Sequence, residues 1–110
     1  MAIKANLVID QGTDFSATID VVDTDGNVYD LSNHTPAAQM RKNYASSTAT
    51  TFTCVDNGSG GQITLTLNSA TTSALEPGRY LYDVEITSTA NSVTRVVEGI
   101  VTVTPGMTRI

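Results

Sequence analysis

Apolar residues recur at every second position in four separate stretches of this sequence. That period suits strands with one buried face and does not suit helices, whose apolar stripe returns every three or four residues. Phe15, Ala17, Ile19 and Val21 alternate with Ser16, Thr18 and Asp20. Ile63, Leu65 and Leu67 alternate with Thr64 and Thr66, and Tyr80, Tyr82, Val84 and Ile86 with Leu81, Asp83 and Glu85. Val97, Val101 and Val103 mark a fourth face within the run 92–104, which Gly99 interrupts. A glycine inside a strand signals a bulge or a close approach of another backbone.

Weaker alternation flanks these four. Residues 4–9 place Leu7 and Ile9 on one face, and residues 37–44 place Ala38, Met40, Lys42 and Tyr44 on one face. The Thr-rich stretch 47–55 carries Phe52. Thr and Val are stiff at χ1 and pack well on a pleated surface, so their abundance fits. Turn chemistry separates the strands: residues 23–27 read Asp-Thr-Asp-Gly-Asn, residues 56–61 form a glycine-rich loop, and residues 88–91 close a hairpin between the last two strands. One short helix is expected over 69–75, with Asn68 as its cap and Pro77-Gly78 as its stop. Leu75 would then plug an open end of the fold.

These elements predict one all-β domain over residues 1–110, an antiparallel two-sheet β-sandwich of about seven or eight strands with one short helix. The expected core is Phe15, Ile19, Phe52, Leu65, Tyr82, Val84 and Val101. A chain of 110 residues suits one domain. Its single cysteine, Cys54, cannot form an intrachain disulfide, so packing alone must hold the fold. Cys54 shares a strand face with Phe52 and is expected to be a buried, inert thiol.

Charge narrows the function. The net charge is −5, and the six basic residues are scattered, so a phosphate backbone is repelled and nucleic acid is not an expected partner. No stretch approaches the roughly 18 apolar residues of a membrane span. The first residues lack the apolar core of a signal peptide, so synthesis in the cytoplasm is expected.

The chemistry-bearing residues are few. Nucleophilic catalysis needs a base beside the nucleophile. The only histidine, His34, sits in a loop-like segment and is expected to be solvated. Asp83 and Glu85 lie two apart on one strand face, where Arg41, Arg79 or Arg95 would pair with them across strands. They are read as structural. Tyr80 and Tyr82 are read as core residues and not as a sugar-stacking platform. Asp23, Asp25, Asn27 and Asp30 crowd oxygen atoms around Gly26, the donor type that calcium takes. No Glu follows at the twelfth loop position and the flanks are strands, so a plain β-turn is the preferred reading, with those four residues kept as calcium candidates. No catalytic residue and no cofactor is expected.

The run 75–86, Leu-Glu-Pro-Gly-Arg-Tyr-Leu-Tyr-Asp-Val-Glu-Ile, and the run 93–103, Val-Thr-Arg-Val-Val-Glu-Gly-Ile-Val-Thr-Val, carry a resemblance. With the early element Gly12-Thr13-Asp14-Phe15 and the Asp23-to-Gly26 turn, the chain resembles small immunoglobulin-like structural proteins of tailed phages, especially marine contractile-tailed phages. A similar plan occurs at the start of phage baseplate upper proteins. The ending Thr108-Arg109 is similar to the family's Val-Thr-Arg, with Met107 in place of the valine. The resemblance spans nearly the whole chain. It implies an immunoglobulin-like sandwich and a non-enzymatic virion component of tail or baseplate, partnered by copies of itself or by other virion proteins.

The alternative is a host-surface or carbohydrate-binding module, for which the sequence places few aromatics outside the core. Self-association has a motive in the sequence. The first strand, 4–9, has no proline or other gatekeeper after Lys4, and the tail ends on Met107 and Ile110 without an assigned partner. The competing expectation is that the first strand pairs within its own sheet and the tail frays.

Overall fold

The structure, a computed structural model, describes residues 3–23, 25–43, 45 and 49–106. Eight strands and one helix follow in chain order: β1 (Ile3–Lys4), β2 (Leu7–Asp10), β3 (Phe15–Asp20), β4 (His34–Arg41), β5 (Thr50–Asp56), β6 (Gln62–Leu67), α1 (Ser69–Ser73), β7 (Gly78–Ser88) and β8 (Val93–Thr104). The all-β expectation with one short helix holds. No helix among the described residues is long and apolar enough to cross a membrane.

The strands form one ladder in the order β1-β8-β7-β4-β5-β6-β3, with β2 also on β8. The ladder is mixed, which corrects the expectation of purely antiparallel pairing. β1 and β2 run parallel to β8, with Ile3 opposite Val97 and Leu7 opposite Val101. The first strand therefore finds its partner inside its own sheet. The other pairs are antiparallel. β5 changes neighbours midway. Thr50 to Phe52 pair with β4, and Thr53 to Asp56 pair with β6. The switch falls at the level where β4 carries Pro36, which has no N–H to give a ladder. The sheet curls around a single core, and β2 and β3 at its two ends come into contact.

The core contains Ile19, Phe52, Leu65, Tyr82, Val84 and Val101 as expected, with Phe15 half-buried against it and tilted on the Phe52 ring. Ile9, Val21, Leu31 and Met40 are among its other members. On β7 the alternation is unbroken: Tyr80, Tyr82, Val84 and Ile86 point inward. On β8 it breaks once. Val84 faces Val97 while Glu85 faces Arg95, so Val96 is a bulged extra residue and both Val96 and Val97 are buried.

Gly99 is not the bulge. It lies opposite Tyr82, where the chain passes from β1 to β2, and a Cβ there would collide with the Ala5 carbonyl oxygen. The Tyr82 hydroxyl donates to that same oxygen at 2.6 Å. Glycine on β8 and tyrosine on β7 thus hold the crossing strand together.

The helix begins where the sequence predicts, with the Asn68 side chain accepting from the Thr71 N–H at 2.9 Å. Thr72 is wholly buried, and its hydroxyl donates to the Thr13 carbonyl at 2.7 Å. Leu75 is buried beyond the helix end as expected. The Tyr80 hydroxyl donates back to the Glu76 carbonyl at 2.8 Å and pins the entry to β7.

Two readings shift. β4 starts and stops earlier than the 37–44 alternation implied. His34 opens it, paired with Ser88, instead of lying in a loop, and Lys42 falls after it. The Lys42 ammonium instead stands over the Tyr80 ring, 4.6 Å from its centroid. Tyr44 and residues 47–48 of the expected Thr-rich strand lie outside the described residues, as do the tail residues 107–110.

Candidate functional site

An open groove of about 340 Å³ crosses the outer face of β1, β8, β7 and β4. Because inward residues on these strands build the core, the residues between them line this face. Strand register arranges them in rows. One row runs Lys4, Glu98, Asp83, Gln39, each directly opposite the next. The adjacent row runs Ile100, Leu81, Arg41. The first row is charged and hydrogen-bonding. The second is apolar for two strands and cationic at its end.

Local contacts fix these side chains. The Arg95 guanidinium spans Asp83 at 3.2 Å and Glu98 at 3.3 Å. Arg41 donates to the Gln39 side-chain oxygen Oε1 at 3.2 Å, and the Gln39 side-chain amide nitrogen donates to the Thr51 hydroxyl at 3.3 Å. The Asn6 side-chain oxygen accepts from the Ile100 N–H at 3.1 Å. Of the three arginines proposed as partners for the acids, Arg95 binds Asp83 and lies opposite Glu85, while Arg79 lies opposite Thr102. These pairs are half-exposed, and such pairs contribute about 0–1 kcal/mol, so they order the groove more than they stabilise the fold. Among the described residues no histidine, cysteine, serine or threonine lines the groove. Tyr82 reaches it only through a core ring, and burial pushes its phenol up to about 12.

The calcium candidates resolve into two separate turns. The Asp23 carboxylate accepts from the Asp25 N–H at 2.9 Å and the Asn27 N–H at 3.0 Å, and Gly26 sits at φ 84°. The Asp30 carboxylate accepts from the Ser32 N–H at 2.9 Å. Hydrogen bonds from the Ser32 side chain and backbone hold the Asp30 carboxyl below its usual range, with a smaller pull from His34. Thr24 lies outside the described residues. Among the described residues no three His, Cys, Asp or Glu side chains come together as a metal site. Backbone donors already occupy the Asp23 oxygen a cation would need. The thermal midpoint should therefore be the same in millimolar calcium and in excess chelator. A rise of several degrees in calcium that Asp25→Ala abolishes would overturn this.

His34 and Cys54 stand apart from the groove. The His34 Nδ1 donates to the Ser32 carbonyl at 2.9 Å, and its ring meets Tyr29 edge-on. Cys54 is half-buried, less covered than its sequence neighbours implied, and leans towards the Phe52 carbonyl at 3.8 Å. Burial raises its thiol pKa, which lowers the thiolate population at neutral pH.

The chain matches no protein-family model and no curated protein. Among solved structures it is similar to an internalin-like protein of Listeria monocytogenes, with 17% identity and a TM-score of 0.51. That alignment covers 94% of this chain and 28% of the other, and it bears on fold alone. A family 123 glycoside hydrolase from Clostridium perfringens aligns over 94% of this chain and 23% of its own, with 12% identity and a TM-score of 0.42, too distant to carry an argument.

Proposed function

We propose that the chain is a non-enzymatic structural and assembly module of a tailed-phage virion, associated with tail or baseplate and working as a homo-oligomer or a docked subunit. The observation that carries this reading is the hairpin of β7 and β8. Both runs that resemble the phage proteins fall there, and their distinctive residues serve the framework. Tyr80 turns back to the Glu76 carbonyl, Tyr82 binds the Ala5 carbonyl and Gly99 makes room for it.

A tyrosine hydroxyl bonded to upstream backbone where its strand begins is a feature of immunoglobulin-like domains and supports that part of the resemblance. The non-enzymatic reading is consistent with the groove's two carboxylates, Asp83 and Glu98, both being held by the Arg95 guanidinium. The proposal is tested in the particle. Mass spectrometry of washed virions from a phage encoding this chain should find it in several copies, and the adjacent reading frames should encode tail, baseplate or capsid proteins. Its absence from washed particles would overturn the assignment.

A further inference from the structure

The groove on the outer face sets an apolar row beside a polar one. Ile100 and Leu81 lie side by side on adjacent strands and form an apolar strip, with Ile100 among the exposed large apolar residues. Beside the strip, Glu98, Asp83 and Gln39 set carboxylate and amide groups across three strands. Lys4 closes one end of that row and makes no ion pair among the described residues. Asn6, held by its bond to the Ile100 N–H, also lines the groove.

An apolar strip next to a line of fixed donors and acceptors matches a molecule with one C–H face and a hydroxyl-bearing edge. A pyranose ring has that form. Bidentate carboxylate and amide groups suit its vicinal hydroxyls, and the strip suits its axial C–H face. We propose that this groove binds a pyranose glycan, with Ile100 and Leu81 under the ring and Asp83, Glu98 and Gln39 on its hydroxyls.

Other ligand classes fit less well. β8, β7 and β4 are interior strands of the ladder, so they offer no free edge for an extended peptide to join by strand addition. The chain's net charge of −5 opposes nucleic acid. The volume lies at the small end of the roughly 300–1,000 Å³ of small-molecule sites. Lys4, Arg41 and Arg95 outnumber Asp83 and Glu98 in the groove, so a ring bearing a carboxylate is accommodated as well as a neutral one. This binding is separate from the virion role, and either stands without the other.

The full chain is tested on immobilised neutral hexose, N-acetylhexosamine and hexuronate oligosaccharides, followed by calorimetric titration with the strongest binder. The expected result is binding to at least one class that Ile100→Glu and Gln39→Ala each weaken by roughly 10-fold or more. Thr64→Ala, on the outer face of β6 away from the groove, should bind like the parent. Binding confined to hexuronates and lost in Lys4→Ala assigns the carboxylate to Lys4. Equal binding of neutral and acidic rings assigns recognition to the hydroxyl row. Should Ile100→Glu lower the thermal midpoint, the surface change Gln39→Ala remains the deciding variant. The proposal fails if no oligosaccharide binds above background, or if folded Gln39→Ala binds as tightly as the parent.

Discussion

Replacing Gly99 with alanine should lower the thermal midpoint by roughly 10–20 °C, the equivalent of about 3 kcal/mol in a domain of this size. The added methyl would collide with the Ala5 carbonyl oxygen and lie 2.8 Å from its carbon, both backbone atoms of the paired edge. Neither can swing aside as a side-chain tip would. The chain must either distort β8 or release the β1–β2 segment. Release exposes Ile9, which is fully buried, and leaves the Tyr82 hydroxyl without its acceptor. Amide hydrogen exchange distinguishes the two outcomes, because release unprotects the β2 amides that pair with β8 while leaving the β3–β6 ladder protected. Gly26→Asn is the matched control. Gly26 has φ 84° with nothing within 4 Å of its Cβ position, and asparagine tolerates the left-handed region, so that change should be nearly neutral. Equal midpoints for Gly99→Ala and the parent would refute the close-approach reading of this strand.

Gly99 also shows how far local sequence reaches. An interrupting glycine in an otherwise apolar run signals either a bulge or a close approach, and the run alone does not choose between them. The bulge is at Val96, where two successive valines are buried and nothing in the run distinguishes one from the other. The approaching strand comes from the far end of the chain and runs parallel to β8. Alternation at Leu7 and Ile9 reveals a strand but carries no sign of its partner or direction. β5 shows the same limit. Its alternation continues through the point where it leaves β4 for β6, because a change of neighbour leaves the inward face unchanged.

The groove was legible only in part. Asp83 and Glu85 stand out as neighbouring acids on one strand face, yet the working unit places Asp83 beside Glu98 and Arg95. Register sets that grouping, and register comes from the long-range ladder. The acidic turn was more legible. Four oxygen-bearing residues near one glycine allow a calcium site but fit a plain β-turn better, and Asp23 and Asp30 each turn to their own backbone, as short acidic side chains do in turns. The core was the most legible part, since burial on a pleated strand depends only on parity, and the chosen β7 residues kept theirs along the whole strand.

Truncating Tyr82 should produce the other large loss, and the phenol and the ring contribute separably. Tyr82→Ala removes a ring that is buried, edge-on to Phe52 with centroids 6.3 Å apart, and should cost about 3–5 kcal/mol. Tyr82→Phe keeps the ring and loses only the bond to the Ala5 carbonyl, for about 1 kcal/mol at neutral pH. Alkaline pH separates the two terms further. Burial pushes the Tyr82 phenol up to about 12, while an unfolded tyrosine ionises near its ordinary value of about 10. Between those values the folded protein holds a proton that the unfolded chain has released. The stability slope with pH is then negative, so this contribution is complete below about pH 10 and declines as pH rises towards 12. Phenylalanine has no proton to lose. The stability gap between the parent and Tyr82→Phe, measured by urea unfolding at stepped pH, should therefore narrow above pH 10. A gap that stays constant to pH 11.5 would show that Tyr82 ionises as freely in the folded protein as in the unfolded chain, and would overturn burial of this phenol as a source of pH-dependent stability.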